Sequence, residues 1–247
     1  MSQSKEALWP IIRTAGIDGF LISFSHSLSE PANRAALAFR EAIENAGWDG
    51  IEETSTSLVS TYLRFDPLWH EHSQVRHMLE KLIKKENWLE MELPRGRKLW
   101  RVPTVFGTSL APLFSEAAHA AGLTPDAAIA SISQTRVRVQ TIGFAPGMPY
   151  LGELPQPWDL PRQTELSARI PIGGLCVAIR QLVLFPVETS TGWRHIGQTA
   201  IQVFQQNSDD PFLLHPGDEV YFEPTTPERL SSLKKDPYGG AVAEAIS

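Results

Sequence analysis

The period of the hydrophobic positions changes partway along the chain, and that change divides it in two. FLISF (20–24) is a short apolar strand candidate. Ala35, Ala36, Phe39, Ala42, Ile43 and Ala46 then follow at helical spacing. Ser29-Glu30-Pro31 ahead of them supplies a capping hydroxyl, an acid and a proline suited to a first turn, and Gly47 stands where a C-terminal cap belongs. The spacing predicts a helix over 30–46. IEETSTS and LVSTYLRFD (51–66) are rich in β-branched and aromatic residues and predict two strands, stopped by Asp66-Pro67. Val75, Met78, Leu79, Leu82 and Ile83 mark a second amphipathic helix over about 70–86. The order β-α-β-β-α predicts a small α+β sandwich with two helices on one face of a sheet, behind a loose lead-in over 1–17.

From Trp100 onward the texture is different. RVPTVFG is a strand candidate ending in a glycine, and two short helices follow over about 109–121 and 125–134. The second is capped by Thr124, with Pro125 at its first position and Asp126 behind it. Then come VRVQTIGF, RIPIGGLCVAI, QLVLFPVE, WRHIGQT, AIQVFQQ and EVYFEP, short β segments separated by Gly, Pro or Asp/Asn clusters. Many short strands at this spacing predict a closed or nearly closed barrel. Pro94-Arg95-Gly96 reads as the boundary, giving domains 1–95 and 96–247, and residues after about 229 are expected to fray.

Composition narrows the class. A chain of 247 residues with 42% hydrophobic and 20% charged residues can bury a sizeable core. A formal net charge of −6 argues against a nucleic-acid partner, which needs a clustered basic surface. Arg95, Arg97, Lys98 and Arg101 form only a short cluster, broken by apolar residues. A single cysteine, Cys176, rules out an internal disulfide and suits a reducing compartment. No signal-peptide pattern and no long apolar span are visible, so a cytoplasmic protein without a membrane partner is expected.

The densest stretch is IGFAPGMPYLGELP (142–155), with three Gly and three Pro among apolar side chains. Glycine permits unusual backbone and proline fixes it, so this is an ordered loop rather than a flexible linker. GFAPGMPYLGELP, with LPR at 160–162, resembles the signature of the carboxyltransferase-domain family that includes the B subunit of 5-oxoprolinase and the first subunit of allophanate hydrolase. The similarity continues through RIPIGGLCVAIRQLVLFP (169–186), GWRHIGQT (192–199) and LLHPGDEVYFEP (213–224). DGFLISFS (18–25) and LVSTYLRFDPL (58–68) are weaker echoes. The resemblance implies an α+β fold whose second part is a cyclophilin-like β-barrel. It implies one subunit of a heteromeric ATP-dependent hydrolase acting on a small anionic amide, most nearly 5-oxoproline, or an allophanate-hydrolase-like relative. The partner would be a second carboxyltransferase-domain subunit. One member of the family inhibits a histidine kinase, so a non-catalytic regulatory protein is the alternative.

No G-x-S-x-G elbow, P-loop or dinucleotide fingerprint is present. If ATP is used, a partner is expected to supply much of its site. His70, His72 and His77 invite a metal reading, but no ligand set is completed, and an exposed helix start is the better account. The candidate chemistry lies in the second half. Phe144, Pro146, Gly147 and Tyr150 belong to the ordered loop, and Arg162, Arg169 and Arg180 follow it closely. A guanidinium suits a carboxylate or phosphate, although each arginine could equally be a barrel-rim ion pair. Arg162 is the favoured anchor. Gln181 matches a glutamine of the family and could pair with an amide. Trp193 could wall a pocket, and His195 could move a proton near neutral pH or simply sit on the rim.

Several positions depart from the family pattern. Gln198 stands for an arginine, Ile179 for a glycine, Leu182 for a threonine, Leu113 for an acid and Gln134 for a histidine. The fold is expected to survive these changes, whereas the chemistry need not.

Overall fold

A computed structural model describes residues 9–246. The chain divides into two compact units between Arg95 and Gly96.

In the first unit, β1 (Ile11–Thr14), β2 (Gly19–Ser23), β3 (Ile51–Ser57) and β4 (Ser60–Phe65) form an antiparallel sheet in the order β1-β2-β4-β3. Helix α1 (Glu30–Ala46) runs from Pro31 in its first turn to Gly47, left-handed at φ 57°. Its Ala35, Ala36, Phe39 and Ile43 join Phe20, Ile22, Leu63 and Phe65 in one buried cluster. Helix α2 (His72–Ile83) adds Val75, Leu79 and Leu82 to the same cluster. Period-2 residues of β2 and β4 therefore face both helices.

Three local readings change. Ser29 makes no side-chain cap bond. α2 starts later than expected, at a capping box in which Glu71 and Gln74 satisfy each other's backbone donors. The expected lead-in contains β1, paired with β2 from Ile11 to Thr14, while residues 1–8 lie outside the described part. Two of the histidines of this unit have local partners. His70 Nε2 lies 2.7 Å from the Asp49 carbonyl, and His72 packs against Phe20 and Phe65.

The second unit is a barrel. Its strands are β5 (Arg97–Phe106), β6 (Val137–Ile142), β7 (Pro149–Gly152), β8 (Gly174–Ala178), β9 (Gln181–Leu184), β10 (Arg194–Thr199) and β11 (Glu219–Pro224). They run β10-β8-β9-β7-β6-β11-β5, and β5 returns to β10 to close the circuit. The interior is filled by Val102, Val139, Leu151, Val177, Leu184, Ile196 and Phe222, among others. Leu182, where the resemblance implies a threonine, points into this apolar interior.

Two helices that precede β6 are α3 (Phe114–Ala120) and α4 (Pro125–Ser133), so the first is shorter than its apolar pattern suggested. Thr108 has a positive φ of 62°, and the turns from Thr108 to Leu113 occupy the missing stretch. AIQVFQQ forms no regular strand and contributes one bridge, Phe204 to Phe212. The largest correction is at the C-terminal end. Residues past 229 do not fray: α5 (Pro227–Leu233) is followed by β12 (Val242–Ile246), which pairs with Arg97 to Arg101 of β5. Between them Gly239 sits so close to Ala200 that a Cβ there would lie 2.2 Å from its carbonyl carbon. Polar composition misled because backbone pairing, rather than side-chain burial, orders this segment.

The β8–β9 turn is tight, and both its central residues, Ile179 and Arg180, have positive φ (46° and 60°). That conformation normally selects Asn or Gly. External bonds hold it here: Ile179 N–H donates to the Leu160 carbonyl, and Arg180 N–H to the Trp158 carbonyl. The left-handed conformation costs an L-residue roughly 1–2 kcal/mol, while glycine gives back roughly 0.5–1 through unfolded-state entropy. Ile179 is 46% exposed and loses little burial on truncation. Ile179→Gly should therefore raise stability by about 0.5 kcal/mol or more, read as a higher denaturation midpoint of the barrel transition. A lower midpoint would show that the isoleucine contributes more through packing than its backbone costs.

Candidate functional site

One open cleft of about 880 Å³ lies in the second unit. Its floor is β10, which contributes His195, Gln198 and Thr199. The β5–α3 connection supplies Thr108, Ser109 and Leu110, the segment before β8 supplies Arg169, Pro171 and Ile172, and α5 with the residue that follows it supplies Leu230, Ser231 and Lys234.

A bulge builds the floor. Residues three apart on a regular strand face opposite sides. Between His195 and Gly197 the β10–β8 register shifts: His195 lies opposite Cys176, Gly197 opposite Leu175, and Gln198 opposite Gly174. The extra residue turns His195 and Gln198 to the same outer face, while Ile196 stays in the barrel interior. Both side chains need room above Gly173-Gly174. A Cβ on Gly174 would lie 2.4 Å from Ile170 and 3.2 Å from His195 Nε2.

Both polar groups are unusual. His195 is 4% exposed and Gln198 9%, yet His195 Nε2 and Gln198 Oε1 have no hydrogen-bond partner. A buried polar atom without a partner loses its hydration uncompensated, which costs roughly 1–3 kcal/mol. Burial pushes the imidazole below its ordinary value; the Gly197 backbone and the Gln198 side chain lie near enough to favour the charged form in part, but neither His195 Nε2 nor Gln198 Oε1 reaches hydrogen-bond geometry. At neutral pH the ring is therefore neutral, able to accept or hand over a proton. Two cations stand at the rim. Arg169 lies 3.9 Å from Glu188 with its side chain 78% exposed, and Lys234 follows α5. A thiol nucleophile is not available. Cys176 sits opposite His195 but is fully buried, and burial pushes its thiol far above the usual range.

Of the sequence candidates, His195 and Arg169 line this cleft and the others lie elsewhere. Arg162 stacks over the Trp193 ring at 5.1 Å, and Trp193 meets Tyr150 edge-on at 6.1 Å. Trp193 joins Met148, Cys176, Val183 and Phe185 in an apolar cluster on the outer wall of the barrel. Gln181 donates to Gln140 Oε1 at 2.8 Å, above Gly152. Arg180 donates to the Leu154 carbonyl and pairs with Glu153 at 3.2 Å. In the loop, Phe144 is 77% exposed with φ 72°, Pro146 is exposed, and Gly147 is buried against Val203. Gln198 appeared in the sequence only as a departure from the family pattern, three residues from His195. Lys234 gave no signal, because it lies in the stretch expected to fray.

Most of the chain, covering the α+β unit and most of the barrel, matches a known family. The chain belongs to the carboxyltransferase-domain family, subdomain C and D, whose model matches residues 10–214. It is 34% identical over 139 residues to the B subunit of 5-oxoprolinase from Escherichia coli O157:H7, covering 56% of this chain and 63% of that protein. To the B subunit of 5-oxoprolinase from Bacillus subtilis (strain 168) it is 27% identical over 218 residues, covering 85% of this chain and 91% of that protein. Among solved structures, TTHA0988 superposes with a TM-score of 0.70 at 29% identity, over 87% of this chain and 40% of that one. The chain thus spans less than two thirds of the length of the Escherichia coli relative and of TTHA0988. α5 and β12 follow the family match, so one wall of the cleft lies beyond it.

The His195 environment gives a pH prediction. Its folded value lies below the unfolded one near 6.5, so at intermediate pH the unfolded chain binds more protons and stability rises with pH. The contribution is fully present above about pH 6.5 and is lost as pH falls from there through the folded value. Denaturation of wild type and His195→Gln at several pH values from neutral downward should show a shallower loss in the variant. Parallel curves would mean the ring gains no proton on unfolding in that window.

Proposed function

We propose that the chain is one subunit of a heteromeric ATP-dependent amide-cleaving enzyme, and that the β10 cleft binds a small anionic amide, 5-oxoproline fitting best. The names of the relatives support the enzyme class. The observation that carries the reading is the pair of buried, partnerless atoms, His195 Nε2 and Gln198 Oε1, on a wall rimmed by Arg169 and Lys234. A lactam that bears a carboxylate offers what this wall lacks: polar groups for the two orphans and a negative charge for the two cations.

Opening a lactam breaks the C–N bond, leaves a hydroxyl from water on the carbonyl carbon and places a proton on the nitrogen. The neutral His195 Nε2 is placed to hold or deliver that proton. Gln198 and the rim cations orient the ring.

The chain carries no glycine-rich phosphate loop, and several backbone donors at or next to the cleft are used locally: Leu110 N–H and Ala111 N–H go to Thr108, and Arg229 N–H and Leu230 N–H to Thr226. ATP is therefore assigned largely to a partner, a second carboxyltransferase-domain subunit. When bound there, ATP would supply the driving force for ring opening.

Two outcomes test the reading. The purified chain alone should turn over neither 5-oxoproline nor allophanate with ATP, whereas the complex co-purified with its second subunit should open the ring. In that complex His195→Ala should lower kcat by about 10²- to 10⁴-fold. Arg169→Ala should raise KM by up to about five-fold, a small effect because its guanidinium is solvated. Full activity in the His195 variant would remove the cleft from the chemistry. A complex that binds and silences a histidine kinase without turnover would favour the regulatory reading.

A further inference from the structure

The Gln198 carboxamide has its orientation fixed by the fold. Nε2 donates to the Ile172 carbonyl at 2.8 Å and to the Thr199 carbonyl at 2.9 Å. Both amide protons are thereby used. A flipped carboxamide would set Oε1 against two carbonyl oxygens, so nitrogen and oxygen cannot exchange places without cost. The segment it is tied to is itself anchored: Thr199 N–H and Oγ1 both donate to the Gly173 carbonyl, each at 2.9 Å. What remains is Oε1, buried, without a partner, on the wall of the cleft. It is an acceptor only.

We propose that Gln198 is a specificity-determining residue of the cleft: its Oε1 selects a ligand that presents an amide N–H and rejects isosteres that place an oxygen there. The inference rests on the reading of the cleft as a small-amide site and deepens it to one atom. A lactam nitrogen brings a proton to Oε1. A lactone ring oxygen brings a second lone pair, leaving the buried acceptor unpaired and repelled. A site built to hydrogen-bond a donor rejects the analogue lacking it strongly, whereas shape alone discriminates weakly.

The test is calorimetric titration of the full chain, alone and in the co-purified complex. One ligand is 5-oxoproline, and the other is the γ-lactone of the same carbon skeleton with oxygen in place of the ring N–H. The lactam should bind about 10- to 100-fold more tightly. Gln198→Met should bring the two affinities together, mainly by weakening the lactam. Equal affinities in wild type overturn the role of Gln198 and leave the amide reading of the cleft intact. Binding of neither ligand, in either preparation, overturns both. Gln198→Met also surrenders two buried hydrogen bonds, so the wild-type comparison decides the question even if that variant misfolds.

Discussion

Barrel closure depends on three residue pairs. Gly197, Gln198 and Thr199 of β10 lie against Phe106, Val105 and Thr104 of β5. β5 is the one strand long enough to serve three partners: β11 runs parallel to it from Leu99 to Thr104, β12 takes Arg97 to Arg101, and only the remaining end is left for β10. An open edge at this point would leave backbone donors and acceptors unpaired, and closure satisfies them. β8 pairs with β10 on both sides of the bulge, and β5 takes its end from Gly197 to Thr199, so Gln198 is backbone-paired on both edges of the strand. A polar side chain on a strand fixed this way cannot reach water by local unpairing without losing ladder hydrogen bonds.

The outer wall of the barrel carries two polar centres separated by apolar packing. At one end Gln181 and Gln140 satisfy each other over Gly152. At the other, His195 and Gln198 are left partly unsatisfied. Met148, Cys176, Val183, Phe185 and Trp193 fill the space between them. From strand spacing and rise, Gln181 and His195 are roughly 12 Å apart on one face, too far to share a small ligand. The contrast is physical. A glutamine pair that closes on itself stabilises the wall, whereas unpaired groups beside an open cleft are available to a ligand.

Arg162 illustrates why residue type alone does not assign a role. Its guanidinium spends its face on Trp193, a contact worth roughly 0.5–1 kcal/mol at an exposed position. That contact covers the apolar cluster from outside. Arg180 is used similarly, tying the strained β8–β9 turn to Leu154 and Glu153. Two of the three arginines near the central loop are thus employed by the structure, and Arg169, with its distant acidic neighbour, remains at the cleft rim.

Much of the architecture was legible in the chain itself. Helix α1 is bounded by Pro31 and Gly47 because a fixed φ starts a helix and a left-handed residue ends it, both local properties. Barrel strands such as those at Val137 and Glu219 announce themselves by β-branched and aromatic residues between turns. The central loop carried the family resemblance because its glycines and prolines fix a backbone that few sequences share. Tertiary structure decided the rest. C-terminal order comes from pairing with β5, which lies far away in sequence. The shared face of His195 and Gln198 comes from a bulge that exists only against β8, since strict alternation along RHIGQT would have put them on opposite sides. Whether Gln198 is satisfied depends on Ile172, brought beside it by the β8 pairing. Those are non-local facts, fixed when the barrel closes and invisible to any window of the sequence.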